Sequence, residues 1–169
     1  WAITDEIYEH ILYDGVHVPM ACLPGMSDRT VTVSGASKTF SVTGWRVGTI
    51  VAPAGASGAI RKVHDFLTVG APAPLQEAVA TALETLGDDY YQELANAYRR
   101  RRDLMVGALK TAGFRCTPPA GAYYILADFS EFSDQRDTAF AMALARDAGV
   151  ASVPGSSLYA DPADGRSLL

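Results

Sequence analysis

Two short β-branched runs, Thr30-Val31-Thr32-Val33-Ser34 and Val47-Gly48-Thr49-Ile50-Val51-Ala52, stand ahead of three stretches whose apolar residues recur at helical spacing. Runs of that length bounded by turn residues are strands, and the period that follows is that of amphipathic helices. Ile60, Val63, Phe66 and Leu67 mark a helix over 56–67. Pro74 suits the first turn of a second helix, through Leu75, Val79, Ala82, Leu83 and Leu86. A longer helix runs from about Asp88 to Ala112, with Leu94, Tyr98, Met105 and Leu109 on one side, and Gly113 ends it. The first part of the chain thus reads as short strands with long helices.

Residues 1–4 read as the end of a further buried strand, Asp5-Glu6-Ile7-Tyr8 as a turn or short helix, and Tyr13-Asp14-Gly15 as a turn. Past Gly113 the pattern changes to a compact β-β-α-β unit. It comprises extended segments at 114–116 and 122–127, a helix at 138–148 and a short strand at 150–153. The expected organisation is therefore a first domain over 1–87, a bridging helix over 88–112 and a smaller α+β domain over 113–169. Trp1-Ala2-Ile3-Thr4 opens in mid-strand and Ser167-Leu168-Leu169 stops as an apolar run begins, so the chain reads as a segment of a longer protein.

A net charge of −5 argues against nucleic acid or an anionic membrane as partner, and no run has the apolar length of a membrane span. The two cysteines, Cys22 and Cys116, form no framework and no metal spacing, which fits a reducing cytoplasm. The run Arg99–Arg102 spreads over more than one helical face and reads as solvated or paired surface. His10, His17 and His64 have no mutual spacing for a metal and read as surface residues or as supports to other side chains, and Tyr123 and Tyr124 are expected in the core of the smaller domain.

The chain has three lysines, and Lys62 and Lys110 fall on solvent-suited helix positions. Lys38 instead follows a strand through the small residues Ser34-Gly35-Ala36-Ser37, where a bulky group can approach the amine. A desolvated lysine is a nucleophile for carbonyls. Taken alone, a loop lysine remains the simpler reading. Arg46, eight residues on, offers a planar fork that matches a phosphate, with hydroxyls at Ser37, Ser41 and Thr43 nearby in sequence. Taken alone, a structural ion pair remains the simpler reading of Arg46.

Together these residues resemble a known family. Gly35-Ala36-Ser37-Lys38, then Val42-Thr43-Gly44-Trp45-Arg46-Val47-Gly48, is similar to the signature of class I/II pyridoxal-phosphate aminotransferases. Asp5-Glu6-Ile7-Tyr8 resembles the family's Asp-x-x-Tyr element. Pro118-Pro119-Ala120-Gly121-Ala122-Tyr123-Tyr124 and Val153-Pro154-Gly155-Ser156-Ser157 resemble two segments of its small domain. The resemblance implies the fold type I architecture of pyridoxal-phosphate-dependent transferases: part of a large domain with a mostly parallel sheet, and a small C-terminal domain. It implies an α/β fold and a homodimeric enzyme that moves an amino group between an amino acid and a 2-oxo acid, with pyridoxal 5′-phosphate as cofactor. Lys38 would form the Schiff base and move the Cα proton, Asp5 would pair with the pyridine nitrogen, and Tyr8 would donate to the phenolic oxygen. Arg46 would hold the phosphate, with Ser37 as helper.

Many relatives carry serine where this chain has Gly35, which leaves the phosphate contacts of Ser34 and Ser37 open. The family's remaining parts, among them a Gly-rich phosphate loop, a ring-stacking aromatic and the arginine for the substrate carboxylate, are expected outside this segment. The stretch from Pro154 to Arg166 looks most like kynurenine, methionine and glutamine aminotransferases, which leans towards an aromatic or sulfur amino acid donor. Carbon–sulfur β-lyases share every residue named. Some transcription regulators carry a non-catalytic domain of the same kind that binds an effector.

Overall fold

Thr30–Gly35 forms β2, the central strand of a three-stranded sheet, in the computed structural model, which describes residues 1–169. Ala2–Asp5 forms β1, parallel to it, with Ala2 opposite Thr30 and Asp5 opposite Val33. Gly48–Val51 forms β3, antiparallel on the other side, with Gly35 opposite Gly48 and Thr32 opposite Val51. A four-residue helix, α1 (Ala36–Thr39), follows β2 directly, and a turn through Ser41 and Arg46 leads into β3.

Pro53 starts α2 (Ala54–Thr68), and Pro72 and Pro74 start α3 (Ala73–Thr85). Proline fits there because the first amides of a helix have no intrahelical partner to lose. The longest helix, α4 (Asp88–Thr111), carries Asp88 and Asp89 in its first turn and Lys110 in its last, matching its macrodipole at both ends. Gly113, at φ +91°, then takes a backbone conformation that L side chains resist.

The chain divides into two compact units, Trp1–Tyr98 with Ala120–Ala122, and Arg99–Pro119 with Tyr123–Leu169. The division falls inside α4. In the first unit, Ala36, Val47 and Val79 form a buried cluster with Phe40, Val42, Ala71 and Leu75 packed against it. Ile11 and Tyr13 are buried beside Ala120–Ala122, through Ala122 N–H to the Ile11 carbonyl at 2.8 Å and Tyr13 N–H to the Ala120 carbonyl at 2.8 Å. Outside this cluster much apolar surface is bare: Ile3, Ile50 and Val51 on the sheet, and Val63, Phe66 and Leu67 on α2. The helical period of 56–67 is thus real, but its apolar residues do not face the cluster.

The second unit pairs β4 (Arg115–Cys116) with β5 (Ala127–Asp128) and adds α5 (Asp137–Ala143), which continues as one π-helical turn over Leu144–Ala148. Phe129, fully buried, stacks on Phe140 at 4.2 Å between ring centroids. Three expectations are corrected. Residues 150–153 form no strand, because Val150 N–H turns back to the Leu144 carbonyl and β5 is bridged instead by Leu168. The extended segment 122–127 pairs only at its end, and Tyr123 and Tyr124 are exposed rather than core. On α4 the buried residue is Val106, not Met105, which continues the four-residue ladder from Leu94, Tyr98 and Arg102. Arg102 is itself largely covered and donates to the Pro119 carbonyl at 3.1 Å, so the arginine run is partly anchored.

Candidate active site

β1 and β2 run parallel and β3 returns, so the residue after β1, the residue after β2 and the residue before β3 all fall at one end of the sheet. That end carries Asp5 at the last position of β1, Tyr8 three residues on, Ser37 and Lys38 in α1, and Arg46 two residues before β3. Open α/β sheets bind ligands at the carboxyl ends of their parallel strands.

Two glycines let the strands close up there. A Cβ at Gly48 would lie 2.9 Å from the Ser34 carbonyl oxygen, and one at Gly35 would lie 3.3 Å from the Val47 carbonyl oxygen. The close approach allows Ala36 N–H to donate to the Val47 carbonyl at 3.1 Å, which fixes α1 against the entry to β3. Arg46 sits in the left-handed region at φ 55°, a conformation that costs an L residue about 1–2 kcal/mol. Its guanidinium stays exposed and donates to the Thr43 carbonyl at 3.3 Å. Thr43 in turn donates to the Ser37 carbonyl at 3.0 Å, so the turn bearing Arg46 is tied to the helix bearing Lys38.

Asp5 is exposed, and one of its carboxylate oxygens accepts Ile7 N–H at 3.2 Å. Glu6 beside it is buried. It accepts Thr4 Oγ1 at 2.9 Å, Met20 N–H at 3.3 Å and His17 Nε2 at 2.8 Å. Burial pushes this carboxyl up, but the hydrogen bonds from His17, Thr4 and Met20 and the charge on His17 outweigh it and hold the group below the ordinary carboxylate value. Glu9 accepts the Ser34 hydroxyl at 2.7 Å.

Arg46 and Ser34 also line a groove of about 600 Å³ with Thr49, His64, Thr68 and Gln76, whereas Lys38, Asp5 and Tyr8 do not. No group of three histidine, cysteine, aspartate or glutamate side chains is placed to hold a metal ion. The donor set at the sheet end (an amine, a carboxylate, a phenol and a guanidinium) is one that a phosphorylated aromatic aldehyde with a ring nitrogen would use.

The model of the aminotransferase class I and II family matches residues 1–167. This chain belongs to that family. A kynurenine–oxoglutarate transaminase of Dictyostelium discoideum is 40% identical over 94% of the chain and 41% of its own length. A methionine aminotransferase of Escherichia coli is 39% identical over 96% of the chain and 42% of its own. The solved structure of N-succinyldiaminopimelate aminotransferase from Mycobacterium tuberculosis superposes with a TM-score of 0.91 at 37% identity, covering 98% of this chain and 43% of that one. The chain spans about two-fifths of the length of the curated relatives it matches. Its fold is that of the fold type I aminotransferases, a family that uses pyridoxal phosphate.

Within this family member, the contacts that sequence reasoning missed are those of Glu6, Glu9 and His17. Nothing in their spacing marks them. His17 takes the supporting role open to it, pairing with Glu6 across eleven positions, and Glu9 meets Ser34 across 25.

Proposed function

We propose that the protein to which this segment belongs is a pyridoxal-phosphate-dependent aminotransferase, exchanging an amino group between an amino acid and a 2-oxo acid. The observation that carries it is the placement of Asp5, Tyr8, Lys38 and Arg46 at one end of the sheet, in the family's order and on strands held in fixed register. The cofactor, when bound, supplies an electron sink for the carbanion that forms at the substrate Cα. Lys38 Nζ would hold the cofactor at its aldehyde carbon and would carry the proton from the substrate Cα. Asp5 holds the ring nitrogen protonated, and Tyr8 donates to the phenolic oxygen. Arg46 binds the phosphate through its planar fork, and Ser37 helps at the same anion.

Relatives named for kynurenine and methionine support an aromatic or sulfur amino acid as donor. They also support transamination over β-elimination, since the matches named above are all transaminases. A homodimeric assembly follows from the family resemblance. The two cysteines are free and Cys22 is exposed, which suits a cytoplasmic location.

The test is borohydride reduction of the full-length protein loaded with pyridoxal phosphate, followed by peptide mass mapping. The pyridoxyl mass is expected on Lys38, and Lys38→Ala should abolish the label and transamination together. A label on Lys62 or Lys110 would overturn the assignment.

A further inference from the structure

The turn over residues 6–11 carries Tyr8, and its two ends are well tied. At the front, Glu6 N–H donates to the Val33 carbonyl at 2.8 Å, and the Glu6 carboxylate collects Thr4, His17 and Met20. At the rear, Ile11 is buried, and its carbonyl accepts Ala122 N–H. From the middle of the turn, Ile7 reaches β2 beside Gly35, and the Glu9 carboxylate accepts the Ser34 hydroxyl at 2.7 Å. Glu9 adjoins Tyr8, and Ser34 precedes Gly35-Ala36-Ser37-Lys38 on the same strand and helix. The Ser34–Glu9 bond is a polar link between the turn bearing the proposed phenol donor and the strand that delivers the proposed nucleophile.

A serine hydroxyl has one proton to give, and a carboxylate is a strong, charge-assisted acceptor for it. The Ser34 hydroxyl donates its one hydrogen bond to Glu9, and a carboxylate at that spot repels a phosphate. We propose that Glu9 is a positioning residue for Tyr8, with Ser34 as its anchor on β2, so that Ser34 serves the phenol and not the phosphate. This rests on the function proposed above.

The test uses the full-length holoenzyme and the variants Glu9→Ala, Ser34→Ala, their double, and Glu9→Gln. One readout is the single-turnover rate with an amino acid. The other is the pH midpoint of the cofactor's visible absorption band, which a purely structural role leaves in place. Glu9→Ala and Ser34→Ala should each slow the half-reaction about tenfold. Both should move the midpoint upward, because a displaced Tyr8 no longer stabilises the phenolic oxygen as an anion. The double variant should be no worse than either single, since both remove the same bond. Glu9→Gln keeps an acceptor for Ser34 and should recover most of the rate. If Glu9→Ala does not fold, Ser34→Ala and Glu9→Gln decide the matter by the same two readouts. Unchanged rate and midpoint in Ser34→Ala, with borohydride label still on Lys38, would overturn the coupling and leave the aminotransferase reading intact. A label absent from Lys38 would overturn both.

Discussion

Replacing Gly48 by alanine puts a methyl group 2.9 Å from the Ser34 carbonyl oxygen, half an ångström short of ordinary van der Waals contact. The obstacle is backbone on a paired strand, so it cannot rotate away, and β2 and β3 must part at the end where Gly35 faces Gly48. Forcing a methyl into such a contact costs about 1–3 kcal/mol. Loss of glycine's freedom in the unfolded chain returns roughly 0.4–1 kcal/mol. The net expectation is about 1–2 kcal/mol of destabilisation. The strain falls two residues from Arg46 and on the Ala36–Val47 bond that seats α1, so the guanidinium and the Lys38 amine lose their mutual placement. Pyridoxal phosphate should bind the full-length variant about tenfold more weakly, equivalent to about 1.4 kcal/mol. Gly44→Ala is the control, because nothing lies within 4 Å of its added Cβ. Thermal unfolding of the apoprotein and fluorescence titration with cofactor measure both effects. If Gly48→Ala matches Gly44→Ala in midpoint and affinity, the close approach of the strands does not set the site.

Asp5→Asn keeps the shape of the side chain but removes its charge, so turnover should fall on the order of a hundredfold, about 3 kcal/mol of barrier, with cofactor retained; unchanged turnover would remove Asp5 from the site. Asp137 is buried and accepts Ser156 N–H at 2.7 Å. The Ser156 side chain leads in holding its carboxyl below the ordinary value, against burial and with help from the Ser156 and Thr138 amides and the Arg136 charge. Its contribution to stability is complete above the ordinary carboxylate range and is lost as pH falls from about 4 towards the lower folded value. Asp137→Asn should therefore flatten the acid limb of the stability profile, read by unfolding midpoints between about pH 2 and 7. The 169-residue polypeptide expressed alone should self-associate and show no transaminase turnover, since Ile3, Ile50, Val51, Phe66 and Leu67 are bare and β1 and β3 each present an open edge. A monodisperse, active product in sedimentation and turnover assays would contradict this.

What the amino-acid order determined by itself is local. β-Branched runs made β2 and β3, helical spacing made α2, α3 and α4, and the motifs that carry Asp5, Tyr8, Lys38 and Arg46 stand out because each lies within a few residues of chain. Helix phase was less legible, and Val106 rather than Met105 is buried because one residue turns a helix by about 100° and only the packed neighbour chooses the face. Residues 150–153 have strand composition but pair with nothing, since Leu168 takes the open side of β5 and pairing is a property of two segments. Only the tertiary structure brought Asp5 into register with Val33, closed Gly35 on Gly48, and set Glu9 on Ser34 and Glu6 on His17. Those contacts join positions 11 to 28 residues apart, and no periodicity along a chain encodes which distant carboxylate meets which hydroxyl.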